Sequence, residues 1–171
     1  MTTPIKAYVD QLTNQELKIL IPGCGQGHEA VYLHDQGYRN VTVIDLVAQP
    51  INKLRLRCPD WPSEQFIIGD FFEHSGSYDL IFEQTFFCAL DPQIRQSYAD
   101  KVYDLLRPGG KLVGLLFNFP LTENGPPFGG ARREYERYFD RFTTKVMSEA
   151  YNSIKPRMGS ELFINLQRPL Q

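Results

Sequence analysis

Lys18-Ile19-Leu20-Ile21-Pro22-Gly23-Cys24-Gly25-Gln26-Gly27-His28-Glu29 runs from an apolar strand through a tight glycine turn into the first residues of a helix. An open α/β sheet receives a nucleotide-like ligand outside the carboxyl ends of its strands at such a turn. Glycine is needed there because a side chain would hold a ligand off the backbone and because tight turns often require positive φ. The spacing is G-x-G-x-G. A dinucleotide fingerprint would carry a third glycine where this chain has His28, so a pyrophosphate seated on the helix N-terminus is not favoured.

The next apolar run, Asn40-Val41-Thr42-Val43-Ile44-Asp45, reads as a second strand ending in a carboxylate. It follows the turn by about 20 residues, the distance at which an acid can accept from both hydroxyls of a ribose. An Asp at a strand end also serves as a helix cap. Turn and carboxylate together point to a nucleoside.

Composition sets the outer bounds. With 171 residues and 42% hydrophobic content the chain has enough material for one buried core, so 1–171 reads as a single domain. A net charge of −2 and a pI near 5.9, with no basic block, give no attraction to nucleic acid or anionic lipid. Cys24, Cys58 and Cys88 are odd in number and far apart. Neither a disulfide framework nor a zinc site is suggested, and a reducing cytoplasm is the simplest home. There is no signal-peptide core and no apolar run long enough to span a membrane. His28, His34 and His74 lack a ligand spacing, so no metal is expected.

Taken in order, residues 1–16 form an amphipathic lead-in with Ile5, Tyr8, Val9 and Leu12 at helical spacing. A strand over Leu17–Ile21, the glycine turn and a helix over Glu29–Gln36 follow, the helix ended by Gly37. A second helix through Ile51, Leu54 and Leu56 is broken at Cys58-Pro59-Asp60-Trp61-Pro62. Phe66-Ile67-Ile68 is a short strand leading into Gly69-Asp70-Phe71-Phe72, where an acid followed by an aromatic can accept from an adenine amino group and cover its ring. Tyr78–Glu83 is apolar nearly throughout, as a central strand covered on both faces must be. Asp91-Pro92 reads as cap and first residue of a helix through Leu106. After a fifth strand to Phe117, the stretch 118–130 is a Pro/Gly-rich loop on the ligand side. Arg132–Phe142 reads as a half-exposed helix, and Thr144–Ser148 and Glu161–Leu166 as two closing strands.

With these residues in place the chain resembles the class I S-adenosylmethionine-dependent methyltransferases. The likeness rests on the G-x-G-x-G turn, Asp45, the Gly69-Asp70-Phe71 corner and Leu106-Arg107-Pro108-Gly109-Gly110. More narrowly it is similar to the thiopurine methyltransferase family and its halide and thiol methyltransferase branch, through Ile21-Pro22-Gly23-Cys24-Gly25, Thr85-Phe86-Phe87-Cys88-Ala89-Leu90 and Gly125-Pro126-Pro127-Phe128. That resemblance implies a Rossmann-like, doubly wound, mostly parallel seven-stranded sheet with an antiparallel strand near the C-terminus and helices on both faces. It implies S-adenosyl-L-methionine as cofactor, held by Gly23, Gly25, Asp45, Leu46, Asp70, Phe71 and Gln84. The acceptor side would be formed by Phe86, Phe87, Asn118, Pro127 and Phe128. Family members carry a tryptophan-rich N-terminal segment that closes the site; this chain begins near the end of that region, and its one tryptophan is Trp61.

A polarizable nucleophile such as a thiolate, bisulfide, thiocyanate or halide arrives ionised. Proximity and a dry pocket then supply the acceleration, and no catalytic dyad is assigned. A small-molecule acceptor is expected; oligomeric state is unreadable and a monomer is assumed. An NAD-dependent oxidoreductase and a non-catalytic S-adenosylmethionine-binding protein remain as rival readings.

Overall fold

A computed structural model describes all 171 residues. Strands β1 (Ile19–Pro22), β2 (Val41–Asp45), β3 (Phe66–Ile68), β4 (Tyr78–Gln84), β5 (Leu106–Phe117), β6 (Thr143–Glu149) and β7 (Glu161–Gln167) join in one sheet of order β3-β2-β1-β4-β5-β7-β6. The first five pair in parallel, while β7 runs antiparallel to both β5 and β6. This is the seven-stranded, doubly wound sheet expected from the sequence. The strand order reverses direction at β1 and β4, which places a crevice at their carboxyl ends.

The helices are α1 (Thr3–Val9), α2 (His28–Asp35), α3 (Ala48–Arg57), α4 (Arg95–Leu105) and α5 (Arg132–Tyr138). Alternation along each strand sends side chains to two separate layers. Ile19, Ile21, Val41, Val43, Leu80, Phe82 and Val113 pack against α1, α2 and α3 through Ile5, Val9, Ala30, Leu33, Ile51 and Leu54. Leu20, Ile44, Ile81 and Leu112 pack on the other face against Tyr98 and Val102 of α4 and Tyr135 of α5. With a core on each face the inner strands carry no polar alternation, which is why they read as unbroken apolar runs.

Most boundaries move by a residue or two from the sequence expectation; the lead-in helix is shorter, ending at Val9, β5 begins at Leu106 and so takes in the stretch to Gly110 read as a turn, and two further elements change for identifiable reasons. Asp91 caps as expected, its Oδ1 accepting from Gln93 N at 2.9 Å. What it caps is a single 3-10 turn over Pro92–Ile94, after which α4 begins at Arg95. The half-charged helix stops at Tyr138, because Phe139 and Phe142 turn into the core. Trp61 is structural: it is buried and its indole N–H donates to Tyr38 O at 2.8 Å.

Candidate functional site

An open cleft of about 330 Å³ lies at the carboxyl ends of β1 and β4. The glycine turn forms its floor. Gly23 and Gly25 adopt φ of 68° and 47°, conformations that L side chains rarely take. Gly23 N donates to Ile44 O at 2.8 Å, which ties the turn to β2. Gly27, at φ 71°, is the N-cap of α2, and a Cβ there would come within 2.8 Å of Leu54 in α3. The left-handed φ favours glycine here, and a larger side chain would also have to displace the end of Leu54. The end of α3 returns to the turn, since Arg57 Nη1 donates to Gln26 O at 2.7 Å.

The opposite contribution comes from the end of β4. Gln84 and Thr85 line the cleft, and Thr85 is the one non-glycine residue with positive φ, at 60°. Backbone in that region costs about 1–3 kcal/mol and persists only when its surroundings hold it. Here the holder is Glu83, fully buried, whose Oε1 accepts from both Phe86 N and Phe87 N at 2.9 Å while Oε2 accepts from Tyr98 O–H. Burial pushes the Glu83 carboxyl from 4.5 up to about 7, against the lowering effect of these three donors.

An acid whose pKa rises on folding binds more protons folded than unfolded between those two values. Stability from this group is therefore complete below about pH 4.5 and is lost as pH climbs towards 7. The loss is on the order of 3 kcal/mol. Urea titrations at pH 5 and pH 7.5 are expected to show that difference, and Glu83→Gln to flatten it; an equal slope in both proteins would refute the assignment.

The residues picked from sequence are not all brought together. Gly23, Gly25 and Gln84 line the cleft. Asp45 stands beside it: its Oδ1 accepts from Val47 N at 2.9 Å, and its charge bears on the Cys24 thiol, itself in the cleft wall. Asp45 does not cap α3, whose N-cap is Val47 with no side-chain cap hydrogen bond; its Oδ1 closes a local turn at the end of β2. Leu46 is 71% exposed and, with Val47 and Ile68, leaves an apolar surface at the ends of β2 and β3. Asp70 is exposed and folds back on its own turn, Oδ1 accepting from Phe72 N at 2.8 Å. Phe71 corrects the reading of an aromatic over the base, because its ring is in the core against Phe72, Phe86 and Tyr98.

None of the acceptor-side residues lines the cleft. Phe86 packs its ring under Gly23, and Phe87 is fully buried against Tyr98, Tyr135 and Phe139. The 118–130 loop, with Asn118, Pro127 and Phe128, is tied down elsewhere: Phe128 N donates to Cys88 O at 2.8 Å and the buried Arg95 donates to Gly129 O at 2.9 Å. In their place the structure brings Met1, Thr2, Glu29, Ile154 and Arg157 to the cleft. Arg157 is held by Glu161 Oε1 at 3.2 Å and lies over the Phe117 ring, and Glu161 also accepts from Ser153 Oγ. A basic residue in the turn between the two closing strands carries no motif, so nothing in the sequence marked it.

The cysteines are free and buried. Burial, with the negative charge of Asp45 or Glu83 nearby, pushes Cys24 and Cys88 up to about 12, and burial takes Cys58 to about 11. The thiolate is the reactive form. All three should resist iodoacetamide at pH 8 in the folded protein and react after unfolding, as read by mass spectrometry; rapid alkylation of the native chain would contradict this.

The site fits an adenosyl ligand with an amino-acid tail. Its floor is a cradle that side chains would obstruct, and the buried Gln84 Oε1 has no hydrogen-bond partner within the protein. No group of His, Cys, Asp and Glu is arranged to hold a metal ion, and no helix is long and apolar enough to cross a membrane. A family model described as thiopurine S-methyltransferase matches residues 1–162. A probable thiol methyltransferase of Arabidopsis thaliana is 32% identical over 151 residues, covering 84% of this chain and 66% of that protein. Thiocyanate methyltransferase 1 of Brassica oleracea is 30% identical over 167 residues, with coverage of 93% and 74%. The chain thus spans about two thirds to three quarters of these relatives' lengths. Among solved structures, the N-methyltransferase NodS of Bradyrhizobium japonicum with S-adenosylhomocysteine superposes with a TM-score of 0.71 at 20% identity, covering 90% of this chain and 79% of that one, a likeness of fold.

Proposed function

Because this chain belongs to the thiopurine S-methyltransferase family of S-adenosyl-L-methionine-dependent methyltransferases, we propose that it methylates a small, anionic, polarizable nucleophile: a thiolate, bisulfide, thiocyanate or halide. The observation that carries this reading is Arg157, a guanidinium in the same cleft as Gln84, Thr85 and the glycine turn. Family membership sets aside the oxidoreductase reading.

When bound, S-adenosyl-L-methionine supplies a sulfonium-activated methyl group, so the chain need only hold, align and dry the reactants. Gly23 and Gly25 leave the turn open to the amino-acid end, for whose ammonium Glu29 offers a carboxylate. Gln84 supplies its unpartnered carbonyl. The free oxygen of Asp45 is the ribose acceptor, while Leu46 and Ile68 give the base an apolar surface and Asp70 an acceptor. Arg157 draws in the anionic nucleophile, and its pairing with Glu161 keeps it from binding that anion too tightly. No residue is required as a general base when the nucleophile is already ionised. Three free thiols support a reducing compartment as the site of action.

Two measurements test this. Calorimetry should show S-adenosylhomocysteine binding to the wild type and at least tenfold weaker binding to Asp45→Ala, with about 1 kcal/mol of stability also lost with the turn hydrogen bond to Val47 N. Labelled S-adenosyl-L-methionine with iodide, bisulfide, thiocyanate and thiophenol should yield a methylated product; binding without product from any of them would leave a cofactor-binding protein, and stabilisation by NAD alone would overturn the assignment.

A further inference from the structure

We propose that Glu83 is a positioning residue for the cofactor, acting from beneath the cleft through the backbone of the β4 turn. It touches no ligand-facing space: the side chain is fully buried, while Gln84 and Thr85, next in sequence, line the cleft. The turn after β4 cannot rely on ladder hydrogen bonds, because the strand ends at Gln84 and the chain reverses through Thr85 at φ 60° into a 3-10 turn over Phe87–Ala89. Two buried amides, Phe86 N and Phe87 N, would be left without acceptors there, and one carboxylate oxygen takes both. The other oxygen takes the Tyr98 hydroxyl from α4, which fixes the carboxylate's rotamer.

The anchor reaches the glycine turn through one side chain. Phe86, whose amide Glu83 holds, packs its ring so closely on Gly23 that a Cβ at Gly23 would overlap it. Both walls of the cleft therefore share a single support: the β4 corner directly, and the glycine turn through the Phe86 ring. Phe71 and Tyr98 brace that ring from the other side. Room for the device comes from Gly114 on β5, paired with Glu83, where any side chain would displace it.

The inference rests on the cleft being the S-adenosyl-L-methionine site, and the experiment separates the two claims. S-adenosylhomocysteine binding is measured by calorimetry, and thermal unfolding by circular dichroism, on wild type, Glu83→Ala, Glu83→Gln and Tyr98→Phe. Glu83→Ala is expected to weaken binding at least tenfold and to raise KM for S-adenosyl-L-methionine more than it lowers kcat. Glu83→Gln, whose amide oxygen can accept from both N–H groups, restores binding to within about threefold of wild type. Tyr98→Phe falls between. A purely structural carboxylate would lower the melting temperature of these variants and leave the dissociation constant of the folded fraction unchanged, and that result overturns the proposal. Should Glu83→Ala not fold, Tyr98→Phe with wild-type affinity overturns it equally. Absence of binding to the wild type defeats both claims; wild-type binding with unchanged variants defeats this one alone.

Discussion

Gly23→Ala is expected to weaken S-adenosylhomocysteine binding by roughly two orders of magnitude while leaving the chain folded. Two costs combine. An alanine held at φ 68° pays about 1–2 kcal/mol for the left-handed conformation, and its methyl overlaps Phe86 Cδ2, with Cε2 and Cγ at 3.3 Å. Forcing a methyl into a packed site costs a further ~1–3 kcal/mol. The Phe86 ring cannot simply swing away, since Phe71 and Tyr98 flank it and its amide is held by Glu83. The turn is the softer partner, so the strain is released by moving the cofactor's floor. About 3 kcal/mol expressed there corresponds to a hundredfold in affinity. Gly25→Ala is the control: a Cβ at that position meets nothing within 4 Å, so only its φ of 47° is strained and the loss should be smaller. Calorimetry on both variants, alongside circular dichroism, checks this; equal affinities for Gly23→Ala and wild type would remove the turn from the site.

Gly114→Ala should act on the fold itself. Gly114 pairs with Glu83 across the parallel β4–β5 ladder, and an added Cβ would overlap Glu83 O and come within 2.6 Å of Glu83 Cβ. Those are backbone and near-backbone atoms of a central strand covered on both faces, so neither strand can retreat. A loss of about 3 kcal/mol or more is expected, which in a domain of this size lowers Tm by roughly 6–12 °C. Thermal unfolding followed by circular dichroism measures it. A change below 2 °C would mean the two strands are not in this register.

These two glycines mark how far the sequence could be read. The turn around Gly23 was legible because its chemistry is local: an apolar run, glycines at fixed spacing and a helix start lie next to one another in the chain. Asp45 was legible for the same reason, as a carboxylate at a strand end. Gly114 gave no such signal, because its requirement comes from Glu83, a partner 31 residues away that only strand pairing supplies. The acceptor side shows the same limit. The Pro/Gly-rich loop at 118–130 looked like the selective element, yet Arg95 and Cys88 tie it down, while Ile154 and Arg157 reach the cleft from a turn with no motif. Phe71 was misjudged because an aromatic after a strand can face either way until its neighbours are known.

What the sequence by itself determined is the order of strands and helices and a glycine turn with a strand-end carboxylate suited to a nucleoside, since propensity, glycine spacing and apolar periodicity act over a few residues; the class of cofactor followed from the family resemblance. Tertiary structure alone decided which side chains share the cleft and which carboxylate supports it from below, because those choices depend on register between β4 and β5 and on α4 bringing Tyr98 to Glu83 across 15 residues of chain. Contacts between distant segments obey packing and burial, and no local pattern records them.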